Sequence, residues 1–251
     1  MELGALLTFC FAVALGSYVQ SASGFAMGLI VLAITAATHA VEIVTITAVT
    51  SLLALLNVIL ALRGQLSNIQ RRAWALLCLG QLPAIWVGVA LLGALAADAL
   101  RVLETILGCF VVAGSLSMLL RPEVKQTLSP GWAWIAGGGA AGILGGLFSA
   151  SGPVMGWFMY RQPLPVAAIR ATLLACFAIT TSTRTVIVGV GGGLTQSVWI
   201  LFGIGLPLVF IGTWAGRRYR PGSEVGMKRS AAAALLLMGV CILVRSAWPG
   251  E

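Results

Sequence analysis

Acidic side chains are almost missing from this chain: seven Asp and Glu stand against 15 Lys and Arg in 251 residues, with one histidine, His39. That scarcity excludes most site chemistry. Metal sites need clustered His, Cys, Asp or Glu, and general acid–base catalysis needs paired titratable groups; neither is visible. The five cysteines, Cys10, Cys78, Cys109, Cys176 and Cys241, stand singly in apolar segments. Without a CxxC spacing they predict neither a disulfide framework nor a metal site, and read as small core residues. No Walker A loop occurs, so nucleotide hydrolysis is not the driving force. An enzyme, a cofactor and a bound metal are all unexpected.

What is present is apolar. Hydrophobic residues make up 59% and charged residues 9%, with a mean hydropathy of +1.02. No soluble domain of this length manages with so little polar surface, so a membrane protein is expected. The formal charge of +8 then reads as loop arginines facing anionic lipid rather than as a nucleic-acid surface. The N-terminal MELGALL has no basic n-region and no small-residue cleavage site, and is not expected to be a removable signal.

About 20 apolar residues cross a bilayer core as a helix. Full spans are expected at 41–62, 73–96, 99–120, 166–189, 196–216 and 230–246. Two stretches, 3–38 and 132–164, are too long for one straight span. Each is interrupted by the same element: SASGFAMG at 21–28 returns as SASGPVMG at 149–156. The pieces after the break suit half-helices or re-entrant segments. Further markers recur, with Pro83 and Gly88 matching Pro207 and Gly212, and Arg121 and Arg245 closing each half. Two membrane repeats follow, 1–124 and 125–251, joined by the polar linker RPEVKQTLSP.

Charge sets their relative orientation. RGQLSNIQRR at 63–72 carries Arg63, Arg71 and Arg72, whereas its counterpart GVGGGLTQ is uncharged. One loop later the bias reverses, from AADALR to RRYRPGSEVGMKR. Equivalent loops therefore prefer opposite sides of the membrane, which predicts inverted repeats. The fold class is an all-α polytopic membrane protein, each repeat holding a broken segment and three full transmembrane helices. The chain would begin and end outside, with the linker inside.

A helix interrupted within the bilayer frees backbone groups that protein or a water-filled cavity must satisfy. Gly24 and Gly152 are expected to provide the tight turn and close backbone approach. Ser21, Ser23, Ser149 and Ser151 are expected to cap the following half-helix or bind a ligand. The positive end of each half-helix would then point at the break and favour an anion. The glycine run at 137–146 reads as a helix-packing face.

Arg170 and Arg184 lie within the span 166–189, about four turns apart and on nearly one face. Arg184 follows the polar run Thr180, Thr181, Ser182 and Thr183. A central arginine costs roughly 2.5–3.5 kcal/mol on insertion scales. Arg184, with Asn57 opposite it in the first half, reads as an anion-facing pair, and Arg170 as a second cation that helps balance the charge of the anion. Glu42, at the start of span 41–62, is a candidate for proton coupling, although an acidic residue at a helix N-terminus needs no such role. Arg101 and Glu104 read as a local helix pair, and Trp74, Trp86, Trp132, Trp134, Trp199 and Trp248 as interfacial anchors.

With two repeats and a glycine- and serine-rich break early in each, the whole chain resembles the TauE/SafE sulfite exporter family of small bacterial permeases. The family motif is usually richer in glycine and followed by proline. Here SASGFAMGLI and GGLFSASGPVMG carry serine and alanine at some of those positions. The resemblance implies transport of sulfite, sulfonates or related small organic anions across the bacterial inner membrane. The expected function is a secondary transporter working by alternating access, with the anion held at the two breaks. A passive channel for anions or small solutes, and a carrier of a small carboxylate, remain open. Expected partners are the small anionic substrate and membrane lipid; proton or ion coupling and a homodimer are compatible with this reading, and nucleic acid is not.

Overall fold

The computed structural model describes residues 3–23, 25–38, 41–119, 123–218, 236–237, 239–244 and 246. Those residues form helices and connecting turns without a strand: α1 Leu3–Ser23, α2 Met27–Ala37, α3 Ile43–Leu62, α4 Arg71–Asp98, α5 Leu100–Leu119, α6 Gly131–Phe148, α7 Gly152–Tyr160, α8 Val166–Val190 and α9 Gln196–Arg218. Six of them, α1, α3, α4, α6, α8 and α9, are long and apolar enough to cross a membrane. Helices occupy the expected positions 41–62, 73–96, 99–120, 166–189 and 196–216 to within a few residues. Most of the expected 230–246 span lies outside the described residues, but 239–244 is helical and packs on α5, where Gly239 meets Val112. The basic segment 219–235, Arg121, Arg245 and Trp248 also lie outside them.

Both long interrupted stretches fold as hairpins. The backbone breaks after α1, and α2 runs back beside it, so that Gly16 lies against Met27 and Val31. The second stretch does the same: Gly145 neighbours Ser151, and Gly137 faces Phe158. Each hairpin has one long arm and one short arm, the short arms being 11 residues in α2 and nine in α7.

The long arms pack on the opposite half. α6 lies on α4 through interlocked glycines: a Cβ on Gly138, Gly142 or Gly146 would run into the backbone of Leu77, Gln81 or Ile85, and one on Gly80 or Gly88 would meet Ile135 or Ile143. In hydrocarbon, where burial of apolar area drives little, such backbone approach is what holds helices together. The glycine run at 137–146 does serve as a packing face. α1 lies on α9 in the same manner, Gly212 abutting Ala14 and Ser17, and Gly216 abutting Tyr18. Pro83 and Pro207 both sit inside continuous helices, α4 and α9. α3 and α8 pack on each other between the hairpins.

The tryptophans divide. Trp86, Trp132 and Trp199 are exposed, as anchors should be, whereas Trp134 is only 4% exposed. Its indole donates to the Ser129 carbonyl at 2.9 Å and its ring meets Phe158 edge-on at 5.1 Å. It is a core residue that ties the linker to the second hairpin, because an indole N–H buried at a chain turn finds a carbonyl there.

Candidate anion site at the two helix breaks

The two breaks touch. Gly28, at the start of α2, abuts the Ser149 carbonyl and Ala150 of the second break, while Gly152 lies 3.3–3.4 Å, at its would-be Cβ, from Ala26 and Phe25 of the first. The Phe25 ring continues across Gly156 and reaches Tyr160 at 6.1 Å between centroids. Gly28 and Gly156 are the matching last glycines of the repeated octapeptide, and each makes room for the other half's break.

The turns themselves differ from expectation. Ala26, at φ 97°, and Ser149, at φ 54°, take the left-handed conformation; Gly152 does not, and Gly24 lies outside the described residues. The two copies also break at different points. α1 runs through Ser21 to Ser23, and the chain turns at Ala26; α6 stops at Phe148, and the chain turns at Ser149. Identical residues adopt different conformations because different neighbours hold them.

Those neighbours are polar side chains from α3 and α8. Ser149 Oγ lies 2.9 Å from Ser51 Oγ on α3. Arg184 reaches the same place from α8: Nη1 donates to Ser51 Oγ and to the Thr47 carbonyl, both at 2.7 Å. Its Nε donates to the Gly146 carbonyl at 2.8 Å. Gly146 is in the last turn of α6, where carbonyls lack intrahelical partners and a cation is favoured. Arg184 is 1% exposed, and its Nη2 has no hydrogen-bond partner.

At the first break, Arg170 Nη2 donates to the Ser21 carbonyl at 2.8 Å, in the last turn of α1. The Asn57 Nδ2 amide reaches Thr213 Oγ1 at 2.7 Å, Ser21 Oγ at 3.1 Å and the Ser17 carbonyl at 3.2 Å. Asn57 is fully buried and leaves Oδ1 without a partner. Asn57 and Arg184 make no bond to each other: Asn57 attends the first break and Arg184 the second.

Among the described side chains, none of these serines caps the following helix. Ser21 and Ser149 are engaged by Asn57 and Ser51 at the ends of the preceding helices. Ser151 does precede α7, but its backbone is helical (φ −74°, ψ −8°) and its hydroxyl makes no capping bond, since capping needs an extended backbone at that position. The Ser23 side chain lies outside the described residues. α2 is capped instead by Gln20, whose Oε1 accepts from the Met27 amide at 3.0 Å. That bond fixes which end of the Gln20 amide is oxygen, so the NH2 group, buried and without a partner, is the end left over.

A cavity of about 20 Å³ lies between the breaks, lined by Gln20, Ala26, Gly28, Ser149, Ser151 and Thr180 among others. It has room for one water molecule. Gln81 on α4 donates to Thr180 Oγ1 beside it. Gln20, Gln81 and Ser51 escaped the sequence reading; only their polarity within apolar spans signalled them. Glu42 is not brought to the breaks. It is exposed and lines a separate cavity of about 370 Å³ together with Glu104. Glu104 makes no ion pair with Arg101, so the expected helix pair does not form. Among the described residues no cluster of His, Cys, Asp or Glu could hold a metal.

The family model for the sulfite exporter TauE/SafE matches residues 9–242. The chain belongs to that family. It is 34% identical over 236 residues to a probable sulfite/organosulfonate exporter TauE from Cupriavidus necator, covering 93% of this chain and 92% of that protein. It is also 26% identical over 147 residues to a probable inner membrane transporter protein TsaS from Comamonas testosteroni, covering 57% of this chain and 60% of that one. No solved structure matches. This TauE/SafE member is thus a multi-pass transporter of the bacterial inner membrane, not an enzyme.

Proposed function

We propose that this TauE/SafE member carries a small oxyanion, of the sulfite or organosulfonate kind, across the inner membrane as a secondary transporter. The anion would bind where the two hairpin breaks meet and be released by alternating access, with 1–124 and 125–251 as inverted repeats and the linker inside. The observation that carries the reading is Arg184. A guanidinium buried among helices, with no carboxylate within hydrogen-bonding distance and one nitrogen unbonded, is costly unless an anion completes it. On the cavity between the breaks, the Gln20 NH2 and first-turn amides of α2 and α7 other than that of Met27 add donors. The named relatives, an exporter of sulfite or organosulfonate and an inner membrane transporter, fit that chemistry.

A cavity with room for one water means that the hairpin tips have to part for an anion to enter. The interlocked glycines of α4 and α6, and of α1 and α9, make each long arm a rigid unit with a helix of the other half. Rocking of those units against each other is the movement that would part the tips. Any proton coupling belongs with Glu42, away from the anion.

Counterflow in proteoliposomes is the direct test. Liposomes preloaded with unlabelled sulfite, a C2 sulfonate or a small carboxylate should accumulate the labelled anion for sulfite and sulfonate. Arg184→Ala and Ser151→Ala should lower that flux. Flux without counterflow or saturation would mean a channel, and flux unchanged by both substitutions would remove the anion from the breaks.

A further inference from the structure

We propose that the groove between the start of α4 and the middle of α8 holds an anionic phospholipid, with its phosphate at Arg71 and an acyl chain along the alanines of α8. The groove measures about 600 Å³, and its sides include Leu62, Ile69 and Ile179, with Ala175 and Ala178 from α8 and Arg71 and Trp74 from α4. Ala175 and Ala178 stand one turn apart, so their small side chains leave a continuous furrow along the helix. Such a furrow in a membrane-spanning surface is filled by hydrocarbon.

Two further features select the headgroup. Arg71 and Arg72 are the first residues of α4, whose first turn holds no acidic residue, and the preceding loop adds Arg63 without a compensating acid. Cations at the positive end of a helix are mutually unfavourable with its dipole, and a phosphate there reverses the sign. The second feature is Trp74, which lines the same groove beside Arg71 and is the kind of aromatic that sits at headgroup level. A net-negative lipid suits the arginines at that level, whereas a zwitterionic one brings its own cation to them.

Occupancy would bear on α8 itself. The residues that follow Ile179, Thr180 and Thr181, line the cavity between the breaks, so the lipid would lie against the helix that carries Arg170 and Arg184. The proposal requires only that the chain spans a membrane, and binding is measured without transport.

Native mass spectrometry of the full chain, released from detergent with added phosphatidylglycerol or phosphatidylcholine of equal chain length, reads the outcome. The wild type should retain phosphatidylglycerol preferentially. Arg71→Gln should weaken that retention roughly fivefold, Ala178→Leu should block the furrow and lower it too, and Arg101→Gln, an exposed arginine elsewhere, should leave it unchanged. Equal retention of the two lipids, or no effect of either groove substitution, would overturn the proposal. So would displacement by millimolar inorganic phosphate, which would make the site one for a soluble anion. Should Arg71→Gln fail to fold, Ala178→Leu decides by the same comparison.

Discussion

Arg170 and Arg184 stand about four turns apart on α8, and each donates to the last turn of a different broken helix, Arg170 to the Ser21 carbonyl of α1 and Arg184 to the Gly146 carbonyl of α6. One helix therefore holds both breaks, from two points along its length. The relationship joins structure to transport, because a movement of α8 that frees either carbonyl must also change the cavity between the hairpins.

Replacing Arg184 separates its structural duty from its role toward the anion. Arg184→Gln should lower the melting temperature in detergent, since the Gly146 carbonyl loses its donor at roughly 1–3 kcal/mol for an orphaned group, while the Thr47 carbonyl keeps Ser51 Oγ. Arg184→Lys keeps the charge, but its single nitrogen cannot occupy the separate positions from which Nε and Nη1 donate, so it should melt low as well. In the wild type, sulfite should raise the melting temperature, Arg184→Lys should keep part of that rise, and Arg184→Gln should lose it. A full anion-dependent rise in Arg184→Gln would make the arginine purely a helix clamp.

Gln20 offers a cleaner substitution. Gln20→Glu still presents an oxygen to the Met27 amide, so the α2 cap survives, but it replaces the free NH2 with an acceptor. Binding of an oxyanion beside a new carboxylate should fall by at least tenfold in the apparent affinity for transport, consistent with about 1.5–3 kcal/mol for a hydrogen bond to a charged group. The melting temperature should fall as well, because a carboxylate at a position 4% exposed is desolvated, so affinity is compared on folded protein. An unchanged affinity would place the anion elsewhere.

The course of the polypeptide was legible because its signals are local. Apolar length marked the spans, and the SASG repeat marked both breaks to within a few residues. The site was legible only as a neighbourhood. Glycine was the expected turn residue, yet Ala26 and Ser149 turn the chain, since tertiary partners override local preference: Gln20 takes the Met27 amide in one copy, and Ser51 and Arg184 hold the end of α6 in the other. Asn57 and Arg184 occupy roughly corresponding places in their halves, which is why they read as facing each other. The contacts that separate them run between α3 and α9 and between α8 and α6, and no sequence spacing reports those pairs.

Neighbouring glycines on α6 should respond in opposite directions. A Cβ at Gly138 would overlap the Leu77 carbonyl, whereas one at Gly139 meets nothing closer than the Gly80 oxygen at 3.8 Å. Gly138→Ala should force α4 and α6 apart, costing about 1–3 kcal/mol as overpacking does, and should reduce the yield of folded, monodisperse protein. Gly139→Ala should be neutral or stabilising by up to about 1 kcal/mol through helix propensity. Size-exclusion profiles of the two variants, made side by side, settle the matter; equal profiles would contradict the close approach of these helices.

The two left-handed residues should also part company. Ala26 holds φ 97° without a side-chain cap, and an L-residue in that region is disfavoured by roughly 1–2 kcal/mol. Ala26→Gly removes the strain but loosens the unfolded chain by about 0.4–1 kcal/mol, leaving a small net gain and a higher melting temperature. Ser149→Gly relaxes its backbone in the same way, yet it deletes the hydroxyl 2.9 Å from Ser51. Ser51 is also an acceptor for Arg184, so that loss loosens the guanidinium and should cancel the gain. Melting curves with and without sulfite should therefore show Ala26→Gly above the wild type and Ser149→Gly at or below it, with a diminished response to the anion in the latter alone.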